Sequence, residues 1–315
     1  MFAEKGSMMA TVGVLCARAR VEEKALMTAL AEAGIVSALF PPADEPLPVG
    51  PMPPASPSHA FPVPQLVVDR HPNRQIARAV LSTCRALGVP ALCAGIAATG
   101  DRLDVASALA AHGLPRPLTA LCTSEDAALA AVAAMGLPAT LLPVDLKAAP
   151  IELMDQDSAE AILEHRAVLG GVAGSLGLIQ TGSPAAGSLV TVIVVDGVAS
   201  ALEAAAGTVV PDTARRLAEE AARALYADLV GIVIAIGAGE PVVWDARPVP
   251  DFRQALAIAH RSVAHAIVQA VERRLDPTGL PVMPAEVDRT WDNITLQVHG
   301  QAQGQGLRRD LVISA

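Results

Sequence analysis

Apolar positions along this chain follow two spacings. Over the first third, short unbroken apolar runs alternate with stretches whose apolar residues recur every three to four positions. Residues 11–16 ("TVGVLC") predict a strand, and 21–34 predict a helix with Leu26, Leu30 and Ala33 at helical spacing and Gly34 as its stop. Strands follow at 35–40 and 66–69. A helix at 73–87, ended by Gly88, leads to a fourth strand at 90–93. Strand–helix alternation implies a parallel sheet, so residues 11–98 predict a small α/β domain after a disordered start at 1–10. Residues 41–64 interrupt it with a proline-rich stretch that predicts a long exposed loop.

The pattern then changes. Helices are predicted at 101–112, closed by Gly113, and at 124–135, with Ser124 as N-cap and Gly136 as stop. The run "ATLLPVDLKAAP" (139–150) and residues 151–154 predict strands, and 158–165 a helix. Strands at 176–180 and 189–195 follow, the second an unbroken β-branched run ending at a tight Asp196-Gly197 turn. A helix at 214–226 precedes strands at 230–236 and 241–245 joined by the turn "GAGE", and one long helix is predicted over 253–273. The expectation is an antiparallel sheet with helices outside it. The tail from 275 carries three prolines, then "NITLQVHG" and "LRRDLVISA", which predict a hairpin.

Composition narrows the function. The 315 residues suffice for more than one core, and 52% of them are hydrophobic, yet there are only one Tyr, two Trp and four Phe. Few aromatic platforms and a net charge of −9 argue against nucleic-acid binding. There are three lysines: Lys5, Lys24 and Lys147. The four cysteines, Cys16, Cys84, Cys93 and Cys122, form no C-x-x-C pair and predict reduced, core-packed thiols. No apolar run of about 18 residues occurs and no secretory-leader pattern opens the chain, so the expectation is a cytoplasmic protein without a membrane span. The glycine-rich "GVAGSLG" (171–177) precedes a strand rather than opening a helix, which makes it a poor phosphate loop. His260 and His265 lie five apart on the predicted long helix, too far round it for a metal pair. His112 and His165 fit helix C-termini without further role.

Several segments, in order, resemble the ATP-grasp ligases, and among them the LysX ligases of amino-acid biosynthesis and the related RimK glutamate ligases. They are "VGVLCARARVEEKAL" (12–26), "GVPALC" (88–93), "TGDRLDVASALAAHGLPRPLT" (99–119), "LPATLLPV" (137–144), "DSAEAILEH" (157–165) and "DARPVPDFRQAL" (245–256). The resemblance implies an N-terminal parallel α/β domain (11–98), a linker helix and small lid subdomain (99–185) and a larger antiparallel-sheet subdomain (186–274). The tail 275–315 lies outside it. It also implies a chemistry: ATP phosphorylates a carboxylate, and an amine attacks the acyl phosphate. Such a site needs cations and backbone N–H groups on the phosphates and Mg²⁺ bridging their oxygens.

Measured against that pattern, the parts are altered. The family's phosphate-binding lysine before the lid loop corresponds to Leu142, and its glycine loop to "VDLKAAP". The earlier family lysine corresponds to Arg102, which fits either a bidentate phosphate contact or a helix-surface arginine. Lys147 fits either a displaced phosphate cation or a solvated loop lysine. In the adenine-reading hinge Gln180 remains, but Thr181 replaces the acidic residue. The catalytic arginine corresponds to Val190 and one metal carboxylate to Val233. The closing E-x-N becomes Asp245-Ala246-Arg247, where Asp245 fits a metal ligand or a salt bridge and Arg247 cannot ligate. Each lost charged contact removes about 2–4 kcal/mol of transition-state stabilisation, roughly 30- to 1000-fold in rate.

The leading expectation is therefore a degenerate ATP-grasp protein without a resident cofactor. It would be a non-catalytic partner of an active paralogue, or a binder of a small amino-acid-like ligand. The alternative is an active ligase using ATP and Mg²⁺, with Arg102, Lys147, Asp245 and Glu240 as relocated contacts. A third reading is an assembly subunit using the C-terminal hairpin. By analogy with the family, a homo-oligomer is expected.

Overall fold

The computed structural model describes residues 12–41, 46–47, 49, 63–170, 176–185, 187–237 and 239–275. Most of the proline-rich loop, part of the glycine-rich 171–177 segment, the start and the predicted terminal hairpin lie outside them.

The first layer is the expected parallel sheet. Strands β1 (Val12–Leu15), β2 (Ser37–Phe40), β3 (Leu66–Asp69) and β4 (Ala91–Leu92) lie in the order β2-β1-β3-β4. Helices α1 (Val21–Glu32) and α2 (Arg74–Ala86) connect them. The start of α2 is local chemistry: the Asn73 side chain accepts from the Gln75 and Ile76 N–H groups. A 3-10 turn at Gly95–Thr99 leads into α3 (Arg102–Ala111), capped by Asp101, whose carboxylate accepts from Leu103 and Asp104 N–H.

A second, antiparallel sheet contains β5 (Thr119–Cys122), β6 (Ala139–Pro143), β7 (Ile151–Leu153) and β8 (Gly177–Thr181), ordered β5-β8-β6-β7. Helices α4 (Glu125–Met135) and α5 (Gln156–Leu169) cover one face, burying Val132, Leu141, Leu153, Leu163 and Ile179 together. This is the lid. β5 is not predicted by the pattern: three of its four residues are not fully buried, so no fully buried apolar run marks it.

The third sheet is antiparallel in the order β12-β11-β9-β10-β13. Its strands are β9 (Leu189–Val195), β10 (Val198–Glu203), β11 (Leu229–Ala235), β12 (Val242–Arg247) and β13 (Leu256–Ala257). Helices α6 (Asp212–Ala224) and α7 (Val263–Leu275) follow β10 and β13. The unbroken β-branched run of β9 fits a central strand buried on both faces. Val190, Val192 and Val194 pack with α6 and with Val105 and Leu109 of α3, while Ile193 and Val195 pack with α7, α1, β1 and β3. By packing, α3 therefore belongs to the core of the large sheet.

The helix expected over 253–273 is corrected. Leu256 and Ala257 instead pair with Leu202 and Ala201 at the edge of β10, and the chain turns through left-handed φ values at Ala259 and His260. The alanine-rich stretch tolerates either state, and pairing at the sheet edge overrides its helical pattern. The helix starts only after Ser262, whose hydroxyl accepts from His265 N–H at 3.2 Å. His260 is thus off the helix altogether.

Two buried ion pairs lie in the first layer, and the arginine of one of them also reaches the third. Arg70, at the end of β3, donates through Nε to Glu23 Oε1 at 3.3 Å and through Nη1 to Pro250 O at 2.8 Å. Its guanidinium stacks on the Phe252 ring at 4.7 Å. Arg74 pairs with Asp69 at 2.5 Å and also donates to Ala98 O and His71 O. The sequence reading passed over both pairs, whose partners are legible only after folding.

All four cysteines are free thiols, and Cys16, Cys84 and Cys122 are buried. Burial raises the thiol of Cys16 to about 11 and that of Cys84 to about 11. It raises the enclosed sulfur of Cys93 to about 12 and also shifts Cys122 upward. Thiolate is the reactive form. Iodoacetamide at pH 8 is therefore expected to leave the folded protein's mass unchanged and to add four adducts in urea. Rapid labelling of any one thiol in the folded state would contradict this. No described helix is long and apolar enough to cross a membrane.

Candidate functional site

Of the residues singled out in the sequence, Arg102, Leu142, Gln180 and Asp245 line one small cavity between the second and third sheets. Asp101 caps α3, which places Arg102 at the first helical position, and its backbone N–H donates to Val144 O at 2.7 Å. The partner bond, Leu146 N–H to Gly100 O at 2.9 Å, completes a short antiparallel bridge between 100–102 and the lid loop after β6.

The Arg102 side chain is 3% exposed, so it is no surface arginine. Nε lies 3.1 and 3.2 Å from the two Asp245 carboxylate oxygens and Nη2 lies 3.0 Å from Oδ2. Nη1 donates to Pro143 O and to Asp145 O, the latter at 3.2 Å. Nη2 also reaches Ala148 O at 3.2 Å, with Leu146 O at 3.5 Å the weakest contact. A phosphate cradle presents backbone N–H groups to an anion. This loop does the reverse: its carbonyl oxygens converge, with a carboxylate, on a cation that the chain itself supplies.

The other positions fall around this knot. Leu142, at 2% exposure on β6, stands opposite Leu178 of β8. Val190 is fully buried against α6. Val233 is buried in register with Asp245 on one side and Thr191 on the other. Arg247 turns from Asp245 and donates to Glu203 Oε2 at 2.8 Å, a half-exposed pair of small energetic weight. Lys147 is exposed; its backbone N–H donates to Asp145 Oδ1. Glu240 is exposed in the turn leading into β12. Of Arg102, Lys147, Asp245 and Glu240, the structure brings together Arg102 and Asp245 only.

Gln180 is buried, and its Oε1 accepts from the Thr119 hydroxyl at 3.2 Å while its Nε2 has no partner. It borders a cavity of about 20 Å³, also lined by Arg102, Arg116, Leu142, Leu178 and Trp244. That is room for about one water, which would satisfy the free Nε2. Arg116 and Trp244 were not marked as site residues in the sequence; the link "GLPRPLT" that carries Arg116 was the available signal.

Mg²⁺, which the family resemblance implies, does not fit these donors. Asp245 is already engaged by a guanidinium, Val233 offers no oxygen and Arg247 has no lone pair to give. Among the described residues, no group of three or more His, Cys, Asp or Glu side chains could hold a metal.

No family model matches the chain. Among solved structures, it is similar to a RimK domain ATP-grasp protein from Sphaerobacter thermophilus, at 26% identity and TM-score 0.68 over 83% of this chain and 99% of that one. The ATP-grasp ligase PsnB, solved with precursor peptide PsnA2 and AMPPNP, matches at 16% identity and TM-score 0.60 over 84% and 97%. The D-cycloserine synthetase DcsG matches at 18% identity and TM-score 0.59 over 84% and 99%. The last two likenesses concern the fold.

Proposed function

We propose that this chain, an ATP-grasp protein of the RimK-like type, is a catalytically degenerate member that works as a non-catalytic subunit. The supporting observation is the reversal of charge in the lid loop. Carbonyl groups of Pro143, Asp145 and Ala148 and the carboxylate of Asp245 surround Arg102 where the resemblance calls for phosphate. A triphosphate placed there would meet carbonyl dipoles with their negative ends inward, and Leu142 in place of a lysine ammonium.

Two roles were open for such a protein: binding a small amino-acid-like ligand in the old cleft, or partnering an active paralogue or a second copy. The cavity of about 20 Å³ is far below the roughly 300–1,000 Å³ of small-molecule sites, which speaks against a small ligand at that place. The active-ligase alternative needs Lys147 and Glu240 as contacts beside Arg102 and Asp245; both are exposed, and neither makes a side-chain hydrogen bond or ion pair with that pair.

Titration calorimetry with Mg·ATP is expected to give no binding tighter than about 1 mM, whose free energy is only about −4 kcal/mol. ADP release in the presence of amino acids is expected to equal the protein-free blank. Micromolar binding with turnover would overturn the reading.

A further inference from the structure

We infer that Arg102 is a latch: it holds the lid shut against the third sheet without any nucleotide. In this it is a positioning residue, and the device is conformational. Among the described residues, the hydrogen bonds and ion pairs joining the lid loop 143–148 to strand β12 all run through its guanidinium. On the lid side it holds the carbonyls of Pro143, Asp145 and Ala148. On the sheet side it holds both oxygens of Asp245. The planar fork of donors suits this task, since a lysine ammonium could not span the carboxylate and the loop together.

The loop is built to be held. Asp145 accepts from Lys147 N–H through Oδ1 at 2.8 Å, which folds the chain into a turn. Ala148 N–H donates to Asp145 O at 3.0 Å. The turn leaves the outward carbonyls facing Arg102 rather than solvent. The short bridge between 100–102 and 144–146 fixes the root of the arginine close to its partners. Among the described residues the side chain carries the polar contacts from the loop to β12, while Leu146 packs on the core of the third sheet. Cutting the side chain should loosen the 143–148 loop from β12, with the 100–102 bridge and each sheet kept intact. This holds whether or not the cleft ever takes ATP, so its failure and that of the proposed function are separable.

Hydrogen exchange read by mass spectrometry, with no nucleotide in any sample, tests the latch. Peptides covering 139–153 are expected to exchange slowly in the native protein. They should exchange on the order of 10- to 100-fold faster in Arg102→Ala, as charge-assisted bonds are lost. Peptides covering β9 and β11 should be unchanged. Millimolar guanidinium chloride, filling the vacated position, is expected to slow lid exchange again in Arg102→Ala. Asp245→Asn, which keeps the loop bonds but weakens the sheet bond, should give a smaller rise in the same peptides. Lid exchange within twofold of the native rate in both variants would overturn the latch. So would a rise shared equally by β9 and β11, which would mean general loosening. If Arg102→Ala does not fold, Asp245→Asn decides alone by the same two readings.

Discussion

Replacing Arg70 by methionine is expected to lower the unfolding free energy by about 3–5 kcal/mol, the usual cost of leaving one member of a buried ion pair alone. Arg70 is 1% exposed and Glu23 is fully buried. Without the guanidinium, Glu23 keeps only Arg20, which is itself 44% exposed and 3.4 Å away. Pro250 O and the Phe252 face lose their cation as well. The loss falls at the junction of two layers. Arg70 ties the end of β3 to the 250–253 segment of the third layer, beside the weaker Arg253–Glu22 pair. In thermal unfolding the midpoint should fall on the order of 10 °C, given about 2–4 °C per kcal/mol in chains of this class. The paired variant Glu23→Gln with Arg70→Met should recover most of that loss, because it removes the buried charge along with its partner. A fall below about 1 kcal/mol in Arg70→Met would show that the pair carries little.

Gly95→Ala should cost a comparable amount, by steric means. Gly95 has φ +55, and an added Cβ would lie 2.0 Å from Leu225 O and 2.4 Å from Tyr226 O. Those carbonyls end α6 and cannot retreat freely. Leu225 O accepts from Ile96 N–H at 2.8 Å, and Cys93 O accepts from both Asp228 and Leu229 N–H. Residues 93–96 are thus stitched to the end of α6 from both sides. Left-handed strain and forced overpacking together predict a loss of about 3–5 kcal/mol. Gly113→Ala is the control. It shares a positive φ, +66, but has no atom within 4 Å of the new Cβ, so it should lose only about 1 kcal/mol. Urea unfolding of the two variants side by side makes the comparison. Equal losses would show that close approach at Gly95 has no cost of its own.

Much of the architecture was legible before folding, wherever the deciding chemistry is local. Asn73, Asp101 and Ser124 cap helices with their own side chains, so those starts are visible in the residues. The β9 run is β-branched because a strand covered on both faces has no polar side to show. The N-terminal alternation of strands and helices predicts the parallel sheet that is found. Residues 253–263 went wrong for the opposite reason. Their alanines fit a helix, and what makes 256–257 a strand is the unpaired edge of β10, more than 50 positions upstream.

The candidate site divides in the same way. That Leu142, Val190 and Val233 carry no charge is a property of the residues themselves, and no fold could give them one. Where Arg102 points is not such a property. Read in sequence, it is an arginine at a helix start, free to meet solvent or phosphate. Its acceptors lie 41 to 143 positions away, in the lid loop and at Asp245. An arginine has five donors and no preference among acceptors until a fold brings them within reach. The residue types alone determined what chemistry the site lacks. Only the tertiary structure decided what stands there instead, because the fold must first bring distant partners within reach, and burial then removes the water that would otherwise satisfy both.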